Sequence, residues 1–381
     1  MTRYKLTRRG AVSASLGLLL AGCQVIPGGS RPAPTPTPTD APQSQLPRDE
    51  GRHSIALLVP LTGRNAQVGK SIENATAMAL KDTNSTNLRI TSYDTNRGPE
   101  DAARQAMRDG NKLILGPLLG GNIQSVLAAA RPAGVPVISF SNDVSVAQDG
   151  VYLMGHVPAQ SITRSVRYAR GAGKSRFAAL VPTGDYGSQA LAAYRRAVEA
   201  SGGTFVTAEN YDRGNTSIIS AAERLKSTGG YDTVLLADSV PLTARAAGTL
   251  NNGRTQYIGT ELWSGESGLA NSAALRGSWF STVSDNRYRQ FRDSYASRYG
   301  APPYRIATIG YDAVLLTLNV ARDWKVGSNF PTRRLRDRQG FIGLDGTFRF
   351  MDDGVAERAM EVRAVRNGTI SVVSPAPATL D

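Results

Sequence analysis

The sequence predicts an α/β protein of two lobes, each a mostly parallel sheet flanked by helices. Two observations carry that expectation. Short apolar runs of strand length alternate with segments whose apolar residues recur every three to four positions, the pattern of parallel strands joined by covering helices. The alternation starts near residue 53, breaks near 157 and begins again near 176. One sheet holding every strand would be unusually wide, so the two runs are assigned to separate lobes.

In the first run, residues 55–60 read as a buried strand, and Val68, Ile72, Ala75, Ala79 and Leu80 share one face of the helix that follows. A strand at 88–93, a helix at 99–109, a strand at 112–116, a helix near 123–131 and a strand at 135–140 come next. In the second run, strands at 176–181, 204–210, 233–237 and 256–259 are separated by helices near 186–200, 216–227 and 241–251. Residues 306–320 are apolar almost all round, as in a helix enclosed by the protein. Strands at 340–343, 346–351 and 359–365 end the pattern, with Asn367-Gly368 as a hairpin turn.

The first 23 residues carry an export signal. Arg3, Lys5, Arg8 and Arg9 precede an apolar run, 11–21, that is too short to span a bilayer. It ends in Leu20-Ala21-Gly22-Cys23, which resembles the lipobox of bacterial lipoproteins; the resemblance implies a diacylglyceryl group on Cys23. Gln24 after the cysteine favours the outer membrane by the same analogy. Seven of the twenty prolines lie between Pro27 and Pro47, so this stretch favours polyproline II and reaches about 75 Å from the membrane as a tether. Without the four leader cations, the formal charge of +13 falls to about +9. In an exported chain that charge points to anionic envelope partners, not to nucleic acid. The single cysteine excludes an internal disulfide, and two histidines exclude a multi-histidine zinc site, so no cofactor or metal is expected.

Residues 55–63 (IALLVPLTG), Gly116-Pro117, Val135-Pro136-Val137-Ile138-Ser139, Asp185-Tyr186-Gly187, Gly259-Thr260-Glu261 and 343–350 (GLDGTFRF) come in an order that resembles the type I periplasmic-binding fold of the leucine/isoleucine/valine-binding group. The resemblance covers roughly 53–373 and implies lobes built from separated segments around a cleft. The expected organisation is a signal peptide at 1–22, a Pro-rich disordered tether at 23–51, a first lobe from 52–157 and 278–325, a second from 158–277 and 326–373, and a flexible tail at 374–381. Within that superfamily, a lipoprotein on a proline tether is similar to the penicillin-binding protein activators (Lpo-type), although the best-known members carry a helical-repeat domain where this chain has only the tether.

In open α/β sheets, ligands bind beyond the carboxyl ends of the strands. The cleft candidates are therefore Thr62, Gly120, Gly121, Asn122, Ser139, Ser141, Asn142, Asp143, Tyr186, Asp238, Glu261 and Trp263. By the resemblance, Glu261 corresponds to the acid that balances a ligand ammonium, and Tyr186 to an aromatic wall residue. Gly120 or Gly121 and Asp143 stand where hydroxyl residues would hold a ligand carboxylate, and an acid there repels one. Asp143 also suits a helix cap, Glu261 an ion pair with a nearby arginine, and Trp263 the core. Arg164, Arg167 and Arg170, and then Arg333, Arg334 and Arg336, form two basic runs suited to docking an acidic partner or to a solvated face. The sequence holds no Gly-x-Ser-x-Gly elbow, Ser-x-x-Lys motif or phosphate-binding loop, and a non-enzymatic role is expected. The leading expectation is an outer-membrane lipoprotein that binds and activates a penicillin-binding protein. The alternative is the substrate-binding lipoprotein of an ABC importer for an amino acid, amide or similar small polar ligand.

Overall fold

A computed structural model describes residues 51–251 and 253–380. The signal peptide, Cys23 and nearly all of the expected tether lie outside the described residues.

The first lobe opens with β1 (His53–Val59), α1 (Ala66–Asp82), β2 (Leu88–Asp94), α2 (Pro99–Arg108), β3 (Leu113–Leu115), α3 (Ile123–Ala130), β4 (Val137–Ser139) and β5 (Val151–Leu153). Its five strands are all parallel, in the order β2-β1-β3-β4-β5. Both faces are covered, and β1 shows how. Ile55, Leu57 and Val59 point into one apolar core while Ala56 and Leu58 point into another, as the two-residue period of a strand requires.

The chain then crosses to the second lobe through α4 (Pro158–Gly171), β6 (Arg176–Pro182), α5 (Asp185–Ala200), β7 (Thr204–Tyr211), α6 (Ser217–Thr228), β8 (Thr233–Leu236), α7 (Val240–Leu250), β9 (Gln256–Ile258) and β10 (Trp279–Thr282). It returns to the first for α8 (Asn286–Tyr299), α9 (Ala307–Ala321) and the antiparallel strands β11 (Phe341–Gly343), β12 (Gly346–Phe350) and β13 (Ala356–Arg358). It ends in the second lobe with β14 (Glu361–Val365) and β15 (Ile370–Ser374). The second sheet runs β15-β14-β10-β9-β8-β6-β7, parallel from β7 to β10 and antiparallel beyond.

Three segments cross between the lobes: 154–157, 283–285 and 359–360. This moves two expected boundaries. Residues 278–282 belong to the second lobe, because Trp279 pairs with Ile258 and the rest of β10 with β14. Residues 326–358 belong to the first, because Phe330, Leu335, Phe341, Phe348 and Phe350 are buried with Ile55, Ile72 and Val314. The phenylalanines decide this: their area has to be buried somewhere, and the first lobe provides the matching core. Strands β10 and β13 and helix α8 were absent from the sequence expectation; the strands are short and α8 has little apolar periodicity.

The tail is tied down, contrary to expectation. Arg164 donates to Ser374 Oγ (2.6 Å), and Arg349 of β12 donates to the Leu380 carbonyl (2.6 Å). The last residues thus run from the second sheet back to the first lobe. Ending the chain after Ser374 removes the Arg349–Leu380 bond and is expected to lower the unfolding free energy by about 1.5–3 kcal/mol, the range for a hydrogen bond to a charged group. A denaturant midpoint unchanged by the truncation counts against the tie.

Candidate functional site

The carboxyl ends of the two parallel sheets face one another across a cavity of about 430 Å³. The first lobe lines it with Asn65, Val68, Leu118, Leu119, Phe140 and Asn142, and the second with Glu261, Leu262 and Ser264. Residues at and beside the crossings, including His156, Val283, Arg305 and Met360, complete it.

On the first-lobe wall, the loop after β4 spends its own donors. Ser139 Oγ donates to the Pro117 carbonyl (2.8 Å) and accepts from the Ser141 amide (3.1 Å). Ser141 Oγ accepts from the Asp143 amide (3.1 Å), and Asp143 Oδ1 accepts from the Ser145 amide (3.0 Å) and hydroxyl (2.7 Å). Asp143 therefore caps the short turn 144–146, and Gln189 Nε2 of α5 reaches the same oxygen from the opposite lobe at 3.2 Å. Thr62 Oγ1 is likewise used, donating to Asp94 (2.7 Å).

The second-lobe wall is built around Glu261. Tyr186, in the first turn of α5, donates to Glu261 Oε1 (3.2 Å), and its hydroxyl also meets Thr260 Oγ1 at 2.8 Å. Glu261 Oε2 is buried and has no hydrogen-bond partner among the described residues. Burial without a neighbouring cation pushes the carboxyl up to about 7. The arginine partner that the sequence allowed is absent from its contacts. Asp238 does not serve the cavity: it is buried and accepts from Tyr211 (2.6 Å), Arg213 (2.7 Å) and the Ser239 amide (2.8 Å). Arg213 in turn lies over the Tyr186 ring, 5.5 Å from its centroid, and buttresses the wall. Trp263 is a core residue whose Nε1 donates to the Asp238 carbonyl (3.0 Å). Its indole lies so close to Gly259 that an added Cβ would meet it at 2.2 Å, which is why glycine follows β9.

At the crossings, Asp345 is fully buried between β11 and β12 and accepts from His156 Nε2 (2.8 Å), Arg305 (2.7 Å) and Thr308 Oγ1 (2.8 Å). Burial alone would raise its pKa, but the Arg305 and His156 contacts hold it well below the usual carboxylate range. Asp312, also buried and close to Asp345, is pushed up to about 7 by burial and by that neighbouring charge. His156 is lowered by burial, so at neutral pH the ring is uncharged. Because ionised Asp345 only accepts, Nε2 carries the imidazole proton and Nδ1 keeps its lone pair. The network spans all three crossings. Arg358 donates to the Met154 carbonyl (2.6 Å), and Arg363 bonds Asp285 (2.5 Å) and the Val283 carbonyl (3.1 Å).

This architecture of two α/β lobes, three crossings and an interlobe cavity coincides with a family match over residues 53–369, described as periplasmic binding protein. The chain is a member of the periplasmic binding protein family. A protein of Rhodospirillum rubrum assigned to a branched-chain amino acid ABC transporter superposes with a TM-score of 0.75 at 21% identity, covering 84% of this chain and 100% of that one. Full-length LpoA of Haemophilus influenzae superposes with a TM-score of 0.68 at 21% identity, over 86% of this chain and 60% of its own. An uncharacterized protein of Rickettsia prowazekii is 24% identical over 344 residues, 86% of this chain and 90% of that protein. The family consists of binding proteins, and no helix among the described residues is long and apolar enough to cross a membrane.

In this periplasmic binding protein, the expected loops do converge, but only Asn142 and Glu261 of the expected residues line the cavity. Gly120, Gly121 and Asn122 form a turn beside it, with Gly120 packed against Ser141 and Asp143. His156, Arg305 and Met360 were not expected there; the one hint was the position of His156 where the chain leaves the first lobe. Of the basic runs, Arg170 is used on the Ser201 and Lys174 carbonyls, Arg164 on Met360 and Ser374, and Arg334 on Asp323 (2.6 Å). Arg167, Arg333 and Arg336 are exposed.

Proposed function

We propose that this chain is a non-catalytic lipoprotein, anchored to the outer membrane through Cys23, that binds a penicillin-binding protein and promotes its synthesis of peptidoglycan.

 The observation that carries this reading is the state of the first-lobe loop. The groups expected to clamp a ligand carboxylate are spent within 139–145, and Asp143 is bridged to Gln189 of the opposite lobe. A cleft bridged by its own side chains suits a protein that presents one fixed surface to a partner. The Cys23 lipobox and the proline tether support the same reading, as does the presence of LpoA among the structural neighbours. Exposed Arg167, Arg333 and Arg336 are the proposed docking residues.

The test is retention and stimulation of purified penicillin-binding proteins by the full lipidated chain. Retention of one synthase and faster glycan polymerisation or cross-linking are expected. If no synthase is retained and no rate changes, the reading fails. A second reading, the substrate-binding lipoprotein of an ABC importer, is favoured by one observation: the buried, unpartnered Glu261 Oε2 in a cavity of about 430 Å³. Under that reading Glu261→Gln abolishes uptake, whereas an activator keeps its synthase stimulation in the same variant.

A further inference from the structure

We infer that a cavity at the far rim of the second lobe, opposite the interlobe cleft, binds a phosphate group carried by a small polar molecule. This site is separate from the cleft and does not depend on which partner the protein engages.

Topology gathers the charges. Strands β6, β8, β9 and β10 are parallel with their carboxyl ends toward the cleft, so their first residues lie on the opposite rim. Strand β14 runs antiparallel to β10 and ends on that rim. A cation stands beside four of these ends: Lys174 before β6, Arg254 before β9, Arg276 before β10 and Arg366 after β14. Lys174, Arg254 and Arg276 line a cavity of about 300 Å³, and no acidic residue lines it among the described residues. Asp232, which precedes β8 on the same rim, accepts from the Ser175 amide (2.9 Å) and Thr233 Oγ1 (2.8 Å). Three like charges around one cavity repel one another, and an anion placed among them is attracted by all three.

Charge alone would describe a solvated rim; Ser278 makes it a site. This serine is buried, lines the same cavity, and its Oγ has no hydrogen-bond partner among the described residues. A buried hydroxyl in that state is destabilising, and an acceptor delivered by a ligand removes the cost. The neighbouring cations are also available. Lys174 makes no ion pair among the described residues, and Arg276 donates to Asn367 Oδ1 (3.0 Å), a neutral acceptor that leaves its charge unbalanced. Three cations and a hydroxyl suit a phosphate, whose several oxygens can meet many donors at once. A carboxylate offers only two oxygens in one plane. The buried Tyr257 ring, with Ala273 and Ala274, completes the wall and leaves room for the body that carries the phosphate.

The experiment is a calorimetric and thermal-shift titration of the full chain with inorganic phosphate, glucose 6-phosphate and glycerophosphoglycerol. Acetate, citrate and glucose are the controls. At least one phosphate probe is expected to bind with a Kd of about 1 mM or tighter, and about tenfold or more tightly than every control. Preference for glycerophosphoglycerol, a phosphodiester, assigns the site to a lipid headgroup; preference for inorganic phosphate or the monoester assigns it to a soluble phosphate. Lys174→Gln and Arg276→Gln are each expected to weaken that probe by a factor of about ten, with melting still cooperative. Ser278→Ala is expected to weaken it by a similar factor without lowering the melting temperature of the unliganded chain, since the hydroxyl it removes is unpaired. The inference is overturned if no phosphate probe reaches about 1 mM, or if a control binds as tightly. It is equally overturned if the three substitutions leave the affinity unchanged. Synthase retention is measured separately, so loss of one result leaves the other standing.

Discussion

Asp345→Asn is expected to lower the unfolding free energy by about 3–5 kcal/mol, the usual cost of removing one member of a buried ionic network. The side chain is fully buried and accepts from His156, Arg305 and Thr308 at 2.7–2.8 Å. Asparagine keeps the size and part of the hydrogen bonding, but it leaves the Arg305 charge with only Asp285, 3.6 Å away. The sign of the pH effect follows from the direction of the shift. A carboxylate held well below its ordinary range stabilises the fold above the unfolded-state value, near 4, and that stability is lost progressively as pH falls from there toward the much lower folded value. Wild type and variant should therefore differ most at neutral pH and converge in acid. Guanidinium titrations at pH 7 and pH 3 measure both. A difference at pH 7 below about 1 kcal/mol would show that Asp345 does not hold the crossings together.

Glu261→Gln is expected to do the opposite above neutrality. Burial pushes this carboxyl from 4.5 to about 7, so the folded protein holds the proton more tightly than the unfolded chain does. The stabilising contribution is present below about 4.5 and is lost as pH rises to about 7, because the buried group then has to ionise. Glutamine has no such transition. With each pKa unit equivalent to about 1.4 kcal/mol, the variant should match wild type at pH 4.5 and exceed it by about 1–3 kcal/mol at pH 8. Asp312, raised to about 7 as well, titrates in both proteins, so the difference between them isolates Glu261. Equal melting temperatures at pH 8 would mean that Glu261 ionises without cost, and the unspent acceptor in the cavity would go with it.

Much of the architecture was legible because it rests on local periodicity. The run 55–59 alternates between two cores, and 306–320 is apolar all round because α9 is packed on most of its surface. The Asn367-Gly368 signal marks the β14–β15 hairpin, whose first pair is Val365 and Ile370. Harder to read were elements whose reason for existing lies elsewhere in the chain. Trp279–Thr282 is a strand because β9 and β14 offer it edges on both sides, and Phe341, Phe348 and Phe350 join the first lobe because its core accepts them.

The site divides along the same line. From sequence came the loops that converge on the cavity, the acidic residue Glu261 at one of them, and the departure at Asp143 from a carboxylate-binding pattern. These follow from strand order and residue type, which are properties of the chain itself. Only the folded molecule decided that Asp238 is spent on Arg213 and Tyr211, that Asp143 meets Gln189, and that His156, Arg305 and Asp345 form one network. Those residues are 25 to 189 positions apart in the chain, and no short-range pattern records such pairings. Burial then sets their chemistry: a carboxyl group is held low beside Arg305 and driven up to about 7 at Glu261, because desolvation and neighbouring charge arise only when the chain folds.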